Sequence, residues 1–309
     1  MKKILIVGGA GFAGSHLAQR LLEKGDQVCL LDIIPKPHSD FIETDVEYKW
    51  KAMQDVSVFD IVDYDIVVHL AAQADVPMGF HSPLWTCYQN VYGTIALLDA
   101  VRQAHDVKKC IIAGSGSEIG RPLYMPIDEA HPLTPANVYG WSKASEELAG
   151  WTYYRSYDVP TIIASNGIVT GPGMRREVFI FKWLYNILKG KPVVLEGGDQ
   201  TRDVTYISDV IDALTLIINA PEEDVVGEKF QISYGTELSV EAILDICMDA
   251  CNKKVEIIYE GYRPGENGQR ENFDNSKAKR ILGYSPQVDP IKAIKLTAQW
   301  IEKEVLQCG

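Results

Sequence analysis

The stretch that most limits the fold of this chain is its start, where Lys3–Val7 runs directly into Gly8-Gly9-Ala10-Gly11-Phe12-Ala13-Gly14 and then into the helical spacing of Ser15–Lys24. A short apolar strand satisfies its backbone groups only in a sheet, so the following helix must fold back over that sheet. Glycine at such a turn permits the tight reversal, lets a backbone approach an anion, and seats the helix close against the strand. The helix N-terminus then offers unpaired N–H groups to a phosphate. Asp32 closes the next apolar run, Gln27–Asp32, near the spacing of about twenty residues at which an acid meets a ribose hydroxyl. A purely structural glycine turn explains the loop but not its coincidence with a strand, a helix and Asp32. The expectation is a dinucleotide site, and a carboxylate that repels a 2′-phosphate selects NAD over NADP.

The rest of the first half keeps this rhythm. Asp65–Leu70, Lys109–Ala113 and Thr161–Ser165 read as further strands, and Leu84–Ala104 and Val138–Tyr157 as helices. Strands alternating with helices predict a parallel sheet covered on both faces, a doubly wound α/β (Rossmann) fold. After Ser165 the elements shorten, punctuated by Gly171-Pro172-Gly173, Gly190-Lys191-Pro192, Gly197-Gly198-Asp199 and Arg263-Pro264-Gly265. These turns predict a smaller α/β substrate lobe over 166–309, beside a dinucleotide-binding domain over 1–165, with some lobe segments returning to the first sheet.

Charge narrows the partners. Thirty basic against 42 acidic side chains give a net charge of −12, which argues against nucleic acid and against anionic membrane surfaces. No apolar run reaches the roughly 20 residues of a membrane span. Met1-Lys2-Lys3 before Ile4–Val7 imitates a signal peptide, but Gly8-Gly9 ends the apolar stretch at once, so the expected compartment is the cytoplasm. Cys29, Cys87, Cys110, Cys247, Cys251 and Cys308 lack disulfide or metal spacing. Cys29 and Cys110 read as buried thiols, Cys247 and Cys251 as neighbours on a helix with no histidine pair to make a zinc site, and His69 as structural. No metal is expected.

Tyr139 and Lys143 stand four apart on a predicted helix and so share a face, where an ammonium favours the phenolate. A free tyrosine near pKa 10 is a poor base at neutral pH; beside a cation and an oxidised nicotinamide it becomes a usable one. Ser115 closes the Lys109–Ala113 strand at the carboxyl edge, where open α/β sheets bind ligands.

With His69-Leu70-Ala71-Ala72-Gln73, Asn90-Val91-Tyr92-Gly93-Thr94, Tyr139-Gly140-Trp141-Ser142-Lys143 and the glycine loop, the chain resembles the extended short-chain dehydrogenase/reductases, specifically their NAD-dependent nucleotide-sugar epimerase/dehydratase group. Gln200–Val204, Tyr206–Val210, Arg263-Pro264-Gly265-Glu266 and Asn275–Pro286 carry the resemblance through nearly the whole length. It implies catalysis by Ser115, Tyr139 and Lys143. Cofactor contacts are implied for Gly8, Gly11, Phe12, Ala13, Gly14, Asp32, Ile33, Asp45, Val46, Leu70, Ala71, Ala72 and Asn90, with Tyr139 and Lys143 sharing that task. Asp45 is read as following a short third strand. Ser115, Ser117, Arg202 and Arg263 are the implied contacts to a nucleotide-diphosphate sugar, the two arginines gripping its diphosphate. A turn-capping role is the plainer reading of Ser117.

The resemblance also ranks reactions. The group's 4,6-dehydratases carry an acid three residues before the loop glycine, here Gly120; Ser117 occupies that place and Glu118 is displaced by one. A 4-epimerase working through a transient 4-keto sugar therefore leads. A 4-keto reductase or 4,6-dehydratase is the alternative, and a non-catalytic NAD(H) sensor comes last. Two departures stand out: Ile119 replaces a usual tyrosine and Ile168 a usual asparagine, with Asn166 two positions earlier. The family's habit implies a homodimer through Leu84–Ala104 and Val138–Tyr157.

Overall fold

The computed structural model describes residues 1–34 and 46–306. Its strands are β1 (Lys3–Val7), β2 (Gln27–Asp32), β3 (Glu47–Trp50), β4 (Ile66–His69), β5 (Lys109–Ala113) and β6 (Thr161–Ser165), then β7 (Ile168–Thr170), β8 (Val193–Glu196), β9 (Thr201–Tyr206), β10 (Lys229–Gln231), β11 (Glu237–Ser239) and β12 (Ile257–Glu260). Seven of them form one wholly parallel sheet in the order β10-β6-β5-β4-β1-β2-β3.

Period-two alternation between two covered faces explains why β1 is apolar from Ile4 to Val7. Ile4 and Ile6 face one core with Leu17 and Leu21 of the Phe12–Glu23 helix and with the Ile207–Asn219 helix. Leu5 and Val7 face another, with Leu97, Leu98 and Val101 of the Gly93–Ala104 helix. Burying a side chain such as Leu17 contributes about 1.5–3 kcal/mol, and both faces repeat that gain. Lys109 is buried at the start of β5 yet satisfied, donating to the carbonyls of Ile217 and Ile218 at 3.0 Å and so closing the C-terminal end of that helix.

Beyond β6 the chain builds a three-stranded sheet, β11-β9-β7, and a two-stranded one, β12-β8. These pack with the helices Phe179–Leu188, Val240–Ala250 and Pro290–Trp300 around a third core. Between β9 and β11 the chain returns to the large sheet, where β10 pairs with β6.

Three local readings change. The strand near Asp45 is β3, which follows that residue; its sequence Glu-Tyr-Lys-Trp makes a half-exposed edge without apolar alternation, which hid it. Asp45 itself lies outside the described residues, as does Cys308. The expected helix over 84–104 is Pro83–Cys87, a π-helical turn at Tyr88–Tyr92, then Gly93–Ala104. Asn90, buried in that turn, bonds Gln73 and Ser142 through its side chain. The first helix starts at Phe12, three residues early, because Ala13 and Gly14 carry no large apolar side chain to mark its face. Cys29, Cys110 and Cys247 are buried thiols, and Cys251 is the residue that ends its helix. Among the described residues no helix is long and apolar enough to cross a membrane.

Candidate active site

The glycine loop is shaped by contact as much as by conformation. Gly8 has φ +82°, and a Cβ there would lie 2.5 Å from the Ala71 backbone nitrogen; one at Gly14 would lie 2.3 Å from the Gly8 carbonyl oxygen. Glycine at both places thus lets the first helix, the loop and the end of β4 meet backbone to backbone. Gly11 caps the helix without any side-chain acceptor, so the first-turn N–H groups of Phe12, Ala13 and Gly14 face outward without a cap. That donor set fits a pyrophosphate.

Asp32 at the end of β2 accepts from Ala10 N at 3.0 Å and from Ile34 N at 3.2 Å, bracing the loop while keeping lone pairs for a ribose. Ile33 beside it is exposed, and Val46 is half-buried against the first core. Leu70 and Ala71 are half-buried and Ala72 is exposed, with Leu70 N bonded to Val7 O at 2.8 Å. Asn90 is fully buried: its amide holds Gln73 N and O at 2.7 and 3.0 Å and Ser142 Oγ at 2.8 Å. It fixes the loop after β4 and offers the cleft no free group.

At the carboxyl edge, Asn137 caps the Val138–Tyr157 helix by accepting from Gly140 N at 2.8 Å, which sets Tyr139 in the first turn and Lys143 one turn on. Lys143 is buried; its Nζ donates to Ala113 O at 2.8 Å, locking the helix to the end of β5 just ahead of Ser115. Burial opposes its charge, but the Glu146 carboxylate, 2.5 Å away, outweighs burial and holds Lys143 above the ordinary lysine value. Ser115 and Tyr139 both line one cavity of about 590 Å³, within the range of small-ligand sites.

The serine that caps the following turn is Ser115, whose Oγ accepts from Ser117 N at 3.3 Å, and not Ser117. Backbone placement decides it: Ser115 has the extended conformation that precedes a helical turn. Glu118 points inward. Its Oε1 accepts from Ser115 N at 2.7 Å, and its Oε2 lies 3.8 Å from Lys229 Nζ, which is itself bound to Glu147 at 2.7 Å. Burial first, and then Glu147, push the Glu118 carboxyl well above the usual range. A one-residue slip would have made Glu118 a pocket acid; its commitment to the Ser115 backbone forbids that.

Arg202 and Arg263 line the same cavity. Neither is a bare cation. Arg202 donates to Gln269 Oε1 at 3.0 Å and lies 3.4 Å from Glu266 and 3.6 Å from Glu271, while Arg263 lies 2.8 Å from Glu196. A diphosphate there would meet cations already shared with carboxylates. Ile168 and Asn166 line the cavity too, the Asn166 amide donating to Gly167 O, whereas Ile119 is buried in a small cluster with Ile127 and Phe273. Sequence reasoning missed Gln269 and Glu271, which lie on a loop with no periodicity; only the Glu266-to-Glu271 density of polar residues after Arg263 hinted at them. His69 is buried, with Nε2 2.8 Å from Thr94 Oγ1, and burial lowers it to about 3, so it is neutral.

A parallel dinucleotide sheet, an uncapped glycine turn and a Ser-Tyr-Lys corner at one edge define an extended short-chain dehydrogenase/reductase. More narrowly, the family model described as GDP-mannose 4,6 dehydratase matches residues 5–297, and the chain belongs to that family. It is 32% identical to a putative UDP-glucose 4-epimerase of Methanocaldococcus jannaschii, over 97% of this chain and 98% of that one. Against the human dTDP-D-glucose 4,6-dehydratase it is 29% identical, over 97% and 89%. The crystal structure of Thermus thermophilus UDP-glucose 4-epimerase in complex with NAD superposes with a TM-score of 0.88 at 26% identity, covering 98% and 99% of the two chains.

Proposed function

We propose that the protein is an NAD-dependent nucleotide-sugar 4-epimerase. The observation that carries this reading is the orientation of Glu118: the loop bearing Ser115 and Ser117 presents hydroxyls to the cavity and withholds its carboxylate. Dehydration needs an acid and base for water at C5 and C6 beyond the tyrosine; inversion at C4 does not. Relatives named as epimerases are compatible with this reading, as relatives named as dehydratases are with the second, and a neighbour solved with NAD supports the cofactor.

NAD, when bound, supplies a reversible acceptor for the hydrogen that leaves the sugar carbon. Gly8, Gly11 and Gly14, with the N–H groups of Phe12 and Ala13, would hold its pyrophosphate, and Asp32 its ribose. Tyr139 takes the proton from the 4-hydroxyl and later returns it; Ser115 Oγ orients that oxygen; Lys143 favours the phenolate and holds the nicotinamide ribose. Arg202 and Arg263 hold the diphosphate and fix the nucleotide end while the keto sugar turns to present its other face. In this reading 1–165 serves the cofactor and 166–309 the substrate. The exposed Leu84, Trp85, Tyr92, Trp141 and Leu148 on the two expected helices form the surface of a homodimer, which sedimentation would detect as a doubled mass.

A second reading, 4,6-dehydratase, is favoured by Glu271, whose carboxyl carbon stands 3.4 Å from where a Cβ on Gly116 would sit. Incubating the protein with UDP-, GDP-, dTDP- and CDP-sugars without added cofactor separates the readings. Epimer formation supports the first, and a stable keto sugar the second. A strict need for added NAD(P)H means a reductase, and NAD binding without any turnover means a sensor. In the first case Tyr139→Phe lowers kcat by about 10²–10⁴-fold; near wild-type turnover would sink the assignment.

A further inference from the structure

Behind Lys143 lies a buried polar cluster that the reaction as proposed does not use. Glu146, one turn further along the same helix, is buried with side-chain exposure of 1%, and its Oε2 takes the Lys143 ammonium at 2.5 Å. The same oxygen lies 3.7 Å from His69 Nε2 on β4. Glu146 Oε1 and His69 Nδ1 are buried without a hydrogen-bond partner among the described residues. An isolated ionised carboxylate is costly in such a place, and simple packing is served more cheaply by a methionine or leucine of similar volume.

We propose that Glu146 is a positioning residue for the Tyr139–Lys143 pair: from this cluster it fixes Lys143 Nζ and sets how much positive charge reaches the Tyr139 phenol. The proposal rests on reading that pair as the proton-handling corner. Geometry supports it on two counts. Lys143 Nζ has two partners, Ala113 O and Glu146 Oε2, on opposite elements, so the ammonium is held between strand and helix. Glu146 also stands seven residues, two turns, from Tyr139 on one helix, about 10 Å along the axis. At that separation in a protein interior, a unit charge moves a neighbour's titration by about half to one pH unit.

The groups facing this cluster are few. His69 from β4 is neutral, Thr94 does not titrate, β5 contributes the Ala113 carbonyl, and Glu118 from the loop before Gly120 adds to the field at Lys143, as does Tyr139 itself. Burial raises the Glu146 carboxyl to about 7, Lys143 opposing the rise. As Glu146 ionises it makes its neighbours harder to deprotonate. Removing its charge makes both Tyr139 and Lys143 easier to deprotonate.

The test uses the full chain with NAD bound and the isosteric Glu146→Gln, which resembles the protonated acid. Phenolate absorbance is titrated against pH with Tyr139→Phe as the reference, a measurement that needs no substrate. The expected result is ionisation of Tyr139 about half to one pH unit lower in the variant. With a sugar that turns over, both limbs of the kcat profile move the same way, and NADH affinity stays within about twofold. Unmoved titration and unmoved limbs, whatever happens to thermal stability, overturn the proposal and leave Glu146 a packing residue. Should Glu146→Gln fail to fold, Glu146→Asp keeps the charge but withdraws it by a methylene; a smaller shift in the same direction supports the proposal, and no shift or an opposite one ends it. Failure of every sugar to turn over would count against the epimerase reading while the titration still decides the role of Glu146.

Discussion

The two halves of the molecule present their functional groups in opposite ways. Around the seven-stranded sheet, Asp32 and Ser115 follow from strand ends, while the N–H groups of the glycine turn and Tyr139 follow from helix starts. Their positions are dictated by a ladder of backbone bonds with an apolar core on each face. In the other half, Arg202 stands on β9, and Arg263, Glu266, Gln269 and Glu271 on the stretch after β12; they hold one another. The first arrangement is rigid and unforgiving. The second is a cluster in which each arginine already rests on carboxylates.

The largest test of that contrast is Gly14→Val. Its side chain has no space beside the Gly8 carbonyl, so the turn must open; we expect NADH binding to vanish in a fluorescence titration and stability to fall by about 3 kcal/mol. Retained binding would mean the sheet half is more forgiving than its contacts imply.

The second concerns Asp203 on β9, which accepts from Gly235 N and Phe273 N and pins the lobe's loops together. Burial raises its carboxyl to about 7, against about 3.9 in an unfolded chain. The folded state therefore holds the proton more tightly than the unfolded state. This contribution is fully present below pH 4 and lost as pH rises through 7, on the order of a few kcal/mol. Denaturant midpoints between pH 4 and 8 should show it, and Asp203→Asn should flatten that slope. A slope unchanged by the substitution removes Asp203 as its source.

Arg202→Lys comes third. A lysine cannot serve Gln269 and two carboxylates while offering a fork to phosphate, so KM for the sugar nucleotide should rise about tenfold with NADH affinity unchanged. The smallest effect is expected for Asp32→Asn. Loss of the charge narrows the preference for NADH over NADPH several-fold in paired binding titrations, because an amide no longer repels a 2′-phosphate. An equal loss of both affinities would instead mark Asp32 as only the brace for Ala10.

This division also explains what the sequence made legible. β1, β2, β5 and β6 are readable to the residue because both faces of their sheet are buried and Gly8 or Asp32 marks an end, and the Val138–Tyr157 helix because Asn137 marks its start. The third strand is expected before Asp45 and lies after it, because a half-exposed edge strand carries no apolar pattern to place it. Tyr139 and Lys143 follow from their spacing on such a helix, whereas Ser115 is singled out from Ser117 only by the family resemblance. Glu271 and Gln269 follow from neither, since a side chain recruited by long-range pairing leaves no local spacing behind. Glu146 sits between: its distance of three from Lys143 is visible in the sequence, but so is that of any solvated helix pair, and only burial beside His69 tells the two apart.

The return of β10 to β6 bears on how this polypeptide is made. A ribosome that has released residues 1–165 has produced a sheet whose β6 edge is bare and whose one face lacks the Ile207–Asn219 helix. Such an intermediate exposes both a pairing edge and a row of aliphatic side chains, the ingredients of aggregation. Synthesis must pass Gln231 before the sheet can close. The nascent chain therefore has no safe halfway point, and cleavage after residue 165 would leave that edge and that face uncovered.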